Sequence, residues 1–184
     1  MKTLKTLFFA SIILLTTNSF AQKYITKNGH IRFYSETPME TIDALNKQVN
    51  CALDSQTGDF VFKVLMKSFE FEKALMQEHF NENYAESDKY PNAMFKGKVT
   101  NIADIDFSVD GKYPATIEGD LTIHGVTNKV KHSGTFTVIG GKIDGLAVFN
   151  VKPSDYKIRI PNAVSKKIAD SLEITVDVRL DKMD

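Results

Sequence analysis

The chain has one cysteine, no tryptophan and five prolines in 184 residues, and its charges cancel. A lone thiol, Cys51, cannot form an intramolecular disulfide, which excludes the stapled scaffolds of small secreted proteins. Stability must come from a packed core, and a domain of this length can bury roughly 70% of the surface its unfolded chain exposes. The 23 basic and 23 acidic side chains leave no positive excess, so nothing suggests the basic face that nucleic-acid binding requires. Long apolar runs are scarce as well. Residues 7–15 form a run of nine, against roughly 20 for a membrane-spanning helix, so the chain is not expected to span a membrane. No glycine-rich phosphate loop, zinc motif or nucleophile elbow occurs, which argues against an enzyme.

What is present at the start is a pattern of export. Lys2 and Lys5 precede the apolar run, and Ser19 and Ala21 stand at minus three and minus one of a cleavage point. Residues 1–21 are predicted to be a cleaved signal peptide, leaving a single domain over residues 22–184 that is periplasmic or secreted. Removing Lys2 and Lys5 from 23 basic side chains leaves 21 against 23 acidic ones, a net charge of −2. That charge offers phosphate-rich partners nothing.

The rest of the chain alternates. Val49, Cys51 and Leu53 are predicted to pair through the turn at residues 54–58 with Phe60, Phe62, Val64 and Met66. Ile105, Phe107 and Val109 alternate with Asp106, Ser108 and Asp110. Tyr113, Ala115, Ile117, Leu121 and Ile123 form another apolar face, and Leu172, Ile174, Val176, Val178 and Leu180 form the clearest one. Seven or eight such segments describe an all-β fold of antiparallel strands with one dry face, and periodicity alone does not separate a sandwich from a barrel. Residues 69–84, with Phe69, Met76 and Phe80 at helical spacing, and residues 162–170 are predicted as short helices.

Three spaced blocks then carry a resemblance. His79, Phe80 and Tyr84 come first, followed by Tyr90, Pro91 and Phe95. The block at residues 119–127 reads GDLTIHGVT. Together they resemble the YceI-like family, secreted bacterial proteins for which binding of polyisoprenoid or similar amphiphilic lipids has been proposed. The resemblance implies an eight-stranded antiparallel lipocalin-like barrel. Where many members carry an arginine before a Ser-Asp-aromatic triplet, this chain has Lys152 and Pro153 before Ser154, Asp155 and Tyr156, and a bidentate guanidinium contact does not carry over to lysine.

Inside a barrel, the apolar parity either packs solid or surrounds a ligand. The ligand-binding residues expected on that wall are Phe33, Phe60, Phe62, Phe95, Phe107, Tyr113, Leu121, Ile123, Phe136, Phe149 and Tyr156. Met76, Phe80, Tyr84 and Tyr90 are expected to form a lid. The expected ligand is an amphiphile such as an isoprenoid lipid or a quinone; no other cofactor, no metal and no catalytic residue is assigned, and a homodimer is compatible with the sequence. Two rivals stand beside this. One is a metal protein or hydrolase using His79, His124 and His132, which lacks the third and fourth ligands a zinc site wants in one place. The other is a filled barrel that serves as an interaction module. Parity puts His124 with Thr122 on the outer face, ahead of a chain reversal at residues 125–128, while His132 shares parity with Phe136 and Val138. Ser154 and Asp155 read as a local turn after Pro153, and Cys51 as a small buried hydrophobe.

Overall fold

Alternation becomes architecture most directly in β3 (Asp59–Leu65), where every second residue, Phe60, Phe62 and Val64, is buried and the intervening ones are exposed. The computed structural model describes residues 22–183; the predicted signal peptide lies outside them. Besides β3, the strands are β1 (Lys23–Glu36), β2 (Thr41–Asp54), β4 (Phe69–Phe71), β5 (Asn92–Val99), β6 (Gly111–Ile123), β7 (Val126–Ile139), β8 (Lys142–Val151) and β9 (Leu172–Lys182). Eight of them run in the order β1-β9-β8-β7-β6-β5-β3-β2, and pairing of β2 with β1 closes the ring. Every pairing is antiparallel, so the fold is the eight-stranded barrel that the resemblance implied. Closure gives each of those strands a paired neighbour on both sides over at least part of its length.

The β2–β3 hairpin has the expected register, with Val49 opposite Val64, Cys51 opposite Phe62 and Leu53 opposite Phe60. Asp54 builds its turn by accepting the backbone N–H groups of Gln56 and Thr57 at 2.9 and 3.0 Å. Cys51 is buried, and burial pushes its thiol well above the ordinary range, so it behaves as a packing residue.

Three expected elements differ. The alternation at 105–109 does not form a strand: Asp106 Oδ1 accepts from the Ser108 backbone N–H at 2.9 Å and from its hydroxyl at 2.6 Å, bending the chain. The segment instead plugs one end of the barrel. Phe107 packs there against Tyr24 and Phe136 with ring centroids 6.1 Å away in both cases.

The helix expected over residues 69–84 is shorter and starts later. Phe69–Phe71 pairs with Ala44, Leu45 and Asn46, the part of β2 that β3 does not reach. The fully buried Asn46 marks the handover, its amide donating to the Leu65 carbonyl at 2.8 Å. Only then comes α1 (Ala74–His79), followed by a π-turn in which Ala85 N–H donates to the Phe80 carbonyl at 2.7 Å. Residues 162–170 contain a single 3-10 turn, Ser165–Lys167; Ala169 N–H donates to the buried Ser35 hydroxyl and ties this loop to β1.

Candidate functional site

The long connections, residues 66–91 and 152–171, leave the barrel at the end opposite the Phe107 plug, and a cavity of about 200 Å³ lies beneath them. Its wall is the apolar parity of the strands. At its floor Phe60 meets Phe62, Phe95 and Phe136 with centroids 5.9–6.2 Å apart. At its mouth Phe80 packs on Phe33, Phe69 and Phe71 at 5.5, 5.6 and 5.1 Å. Among the described residues lining it, none is Lys, Arg, Asp or Glu. Desolvating a charged group here would go uncompensated.

Of the residues expected at the site, Phe33, Phe60, Phe62, Phe80, Phe95, Leu121, Ile123, Phe136, Phe149 and Tyr156 line the cavity. Phe107, Tyr113, Met76, Tyr84 and Tyr90 do not. Phe107 is part of the closing plug, and the Tyr113 hydroxyl donates to the Val109 carbonyl there at 3.0 Å. Met76 on α1 and Tyr84 in the π-turn lie outside the cavity lining, whereas Phe80 between them is part of it. Tyr90 covers His124 at 4.4 Å between centroids. The wall also includes Ile31, Phe69 and His132, which were not singled out as ligand contacts. Phe69 lies in a segment whose composition favours helix, whereas His132 shares the wall parity of Phe136 and Val138.

His124 is not on the outer face. The β6–β7 reversal is a two-residue turn at His124 and Gly125, with φ of +51° and +72°, a type I′ geometry. The turn begins one residue earlier than expected, so strand parity does not govern His124. Its Nε2 lies 2.5 Å from Glu86 Oε2 and its Nδ1 lies 3.2 Å from the Tyr156 carbonyl oxygen. With Asn128 donating to the Asp155 carbonyl at 2.9 Å, this clasp joins three segments of the mouth.

His124→Ala is expected to lower stability by about 1–2 kcal/mol, since a hydrogen bond to a charged partner is lost but Glu86 is part-exposed. Glu86→Gln, which keeps an acceptor, is expected to cost less. Urea unfolding and hydrogen exchange over residues 153–158 measure it; unchanged values for His124→Ala would remove the clasp from this account.

The histidines do not converge. The hairpin sets His132 opposite Ile117, four register steps from Leu121 and Asn128, and His79 and His30 are exposed on α1 and β1. Among the described residues no group of three or more His, Cys, Asp or Glu is placed to hold a metal ion.

One stretch of the wall is not zipped. Pairing of β7 with β8 begins only at Gly134 and Ala147, so residues 126–133 and 148–151 of these strands separate. Across the resulting side window the His132 and Phe149 rings stack at 4.0 Å with an interplanar angle of 21°. His132 and Phe149 both line the cavity here. The 3-10 turn Pro153–Tyr156 closes the window above, and burial raises the Tyr156 phenol, keeping it neutral.

A family model for the YceI-like domain matches residues 19–180. The chain belongs to the YceI-like family. Among solved structures, it is similar to a polyisoprenoid binding domain from Saccharophagus degradans, with a TM-score of 0.76 at 13% identity over 89% of this chain and 99% of that one. It is also similar to BcnA of Burkholderia cenocepacia, with a TM-score of 0.67 at 14% identity, covering 83% and 95%. A YceI protein of Campylobacter jejuni matches at a TM-score of 0.56 and 16% identity, covering 77% and 84%. At such identities these likenesses establish the shared YceI-like barrel. No curated protein sequence matches the chain. Among the described residues no helix is long and apolar enough to cross a membrane.

Proposed function

We propose that this member of the family is a non-enzymatic binding protein that takes the hydrocarbon part of an amphiphile into its barrel, an isoprenoid lipid or a quinone being the class that fits. It would act in the periplasm or outside the cell. The observation that carries the reading is the cavity: its lining is almost wholly apolar, holds no charged side chain, and lies beneath the cap and beside the stretch where β7 and β8 are unpaired. The polyisoprenoid binding named for the similar Saccharophagus degradans domain supports it.

Magnitudes favour a long tail. Each buried CH₂ contributes about 0.8 kcal/mol, whereas association costs roughly 4–15 kcal/mol. A tail of a few carbons therefore cannot bind measurably, and one of ten or more can. The cavity of about 200 Å³ exceeds the roughly 150 Å³ hole that accepts benzene but is below the roughly 300–1,000 Å³ of drug-sized pockets. A long occupant must extend beyond it.

Native mass spectrometry of gently purified protein tests the reading. A lipid adduct, or uptake of a prenyl lipid or quinone on exposure, is the expected result. Protein that purifies empty and takes up neither would refute it.

A further inference from the structure

Among the described residues the cavity wall offers few polar side chains: the His132 imidazole, the Thr135 hydroxyl and the Tyr156 phenol. Thr135 is paired into the wall opposite Leu146, and Tyr156 lies beside Asn128 under the mouth clasp. His132 is different. No side chain or backbone group among the described residues hydrogen-bonds to either ring nitrogen, although burial penalises its charged form and holds its imidazole below the ordinary range. A neutral imidazole carries one donor and one acceptor, and here neither has a protein partner.

Its place makes that useful. His132 stands on β7 where β8 has already departed, its ring flat against Phe149, so it is at once in the wall and at the side window. The last paired positions before it are the small residues Gly134 and Ala147. The exposed Leu146 and Val148 give the outer sill an apolar surface.

We infer that His132 is the specificity-determining residue of the cavity: the ligand's polar head sits in the window between β7 and β8, hydrogen-bonded to the imidazole, while its tail runs inward. This rests on the lipid-binding reading above. The head it selects is neutral and hydrogen-bonding, a ring carbonyl or a hydroxyl, because no Lys or Arg lines the cavity to compensate an anionic one.

A panel sharing one geranylgeranyl tail tests this, with a naphthoquinone head, a hydroxyl head, a diphosphate head or no head. Wild-type protein is expected to bind the quinone on the order of tenfold more tightly than the headless hydrocarbon, the worth of one or two net hydrogen bonds, and more tightly than the diphosphate. His132→Phe keeps the stack on Phe149 and is expected to bind the hydrocarbon as before while losing the preference; His132→Gln is expected to recover part of it. The side-chain ¹⁵N resonances of His132 in the wild type are expected to move with the quinone and not with the hydrocarbon, a readout that does not depend on any variant folding.

Equal affinities across the panel, a preference that survives in His132→Phe, or imidazole resonances indifferent to the quinone would each overturn the assignment while leaving lipid binding intact. Tighter binding of the diphosphate would overturn the neutral head. Failure of every geranylgeranyl compound to bind would instead remove the lipid-binding reading, and this inference with it.

Discussion

Gly119→Val is expected to prevent the barrel from folding, and Gly119→Ala to cost about 3 kcal/mol, the upper end of what overpacking does. Gly119 on β6 lies directly opposite Gly97 on β5. A Cβ on Gly119 would stand 2.4 Å from the Lys96 carbonyl oxygen and 2.5 Å from the Gly97 Cα; one on Gly97 would stand 2.2 Å from the Glu118 carbonyl oxygen. These are backbone atoms held by the ladder, so they cannot move aside as a flexible side chain would. The Phe95 ring also lies over both glycines, with Cζ at 2.8 and 2.6 Å from the two ideal Cβ positions. An aromatic covering a glycine pair is a known device for closing a tight part of a sheet. Here the same ring forms part of the cavity floor, so the substitution would strike wall and ligand surface together. Gly111→Ala on the same strand is the control: its nearest neighbour would be the Tyr113 hydroxyl at 3.4 Å, and a change within about 0.5 kcal/mol is expected. Urea midpoints that shift alike for the two alanine variants would discard the argument.

How much of this was legible depends on whether the deciding interactions are local. The β2–β3 register and β9 follow from alternation because each strand carries its own two-sided pattern and, in the hairpin, an adjacent turn. Residues 105–109 alternate just as well, yet Asp106 and Ser108 hydrogen-bond within their own segment, and that competition wins where no neighbouring strand is available. Phe69–Phe71 failed for the opposite reason. Its local composition favours helix, but an open stretch of β2, more than twenty residues earlier in the chain, needed a partner for its backbone groups.

The site divides along the same line. Phe60, Phe62, Phe95 and Phe136 were legible as cavity wall because strand parity places them, and the structure shows them facing one another across the floor. Residues of the mouth were not, since parity ends where strands end. His124 shows how little it takes: a two-residue type I′ turn begins at the histidine itself, and a side chain expected in solvent becomes the centre of the clasp. His132 carried the correct parity throughout. What no sequence pattern could show is that β8 is no longer paired with β7 beside it, since alternation marks which face a residue takes and not where pairing with a neighbour ends.

Filling the cavity without disturbing the barrel is expected to abolish lipid uptake. Ala93 on β5 is paired with Val64 and lines the cavity next to Phe95, so Ala93→Trp would place an indole in space that is otherwise empty. Excluding three or four methylenes at about 0.8 kcal/mol each removes roughly 3 kcal/mol, which is on the order of 100-fold in Kd. Stability is expected to hold or rise, since empty apolar volume is itself unfavourable at about 24 cal/mol per Å³. The natural chain has no tryptophan, so the new indole reports its own surroundings. Its emission is expected at short wavelength, as for a dry site, and insensitive to aqueous quenchers. Lys96→Trp, at an exposed position of the same strand, controls for the added side chain and is expected to bind lipid as the wild type does while emitting from water. A buried indole at position 93 with undiminished uptake would mean that the lipid lies somewhere other than the barrel interior.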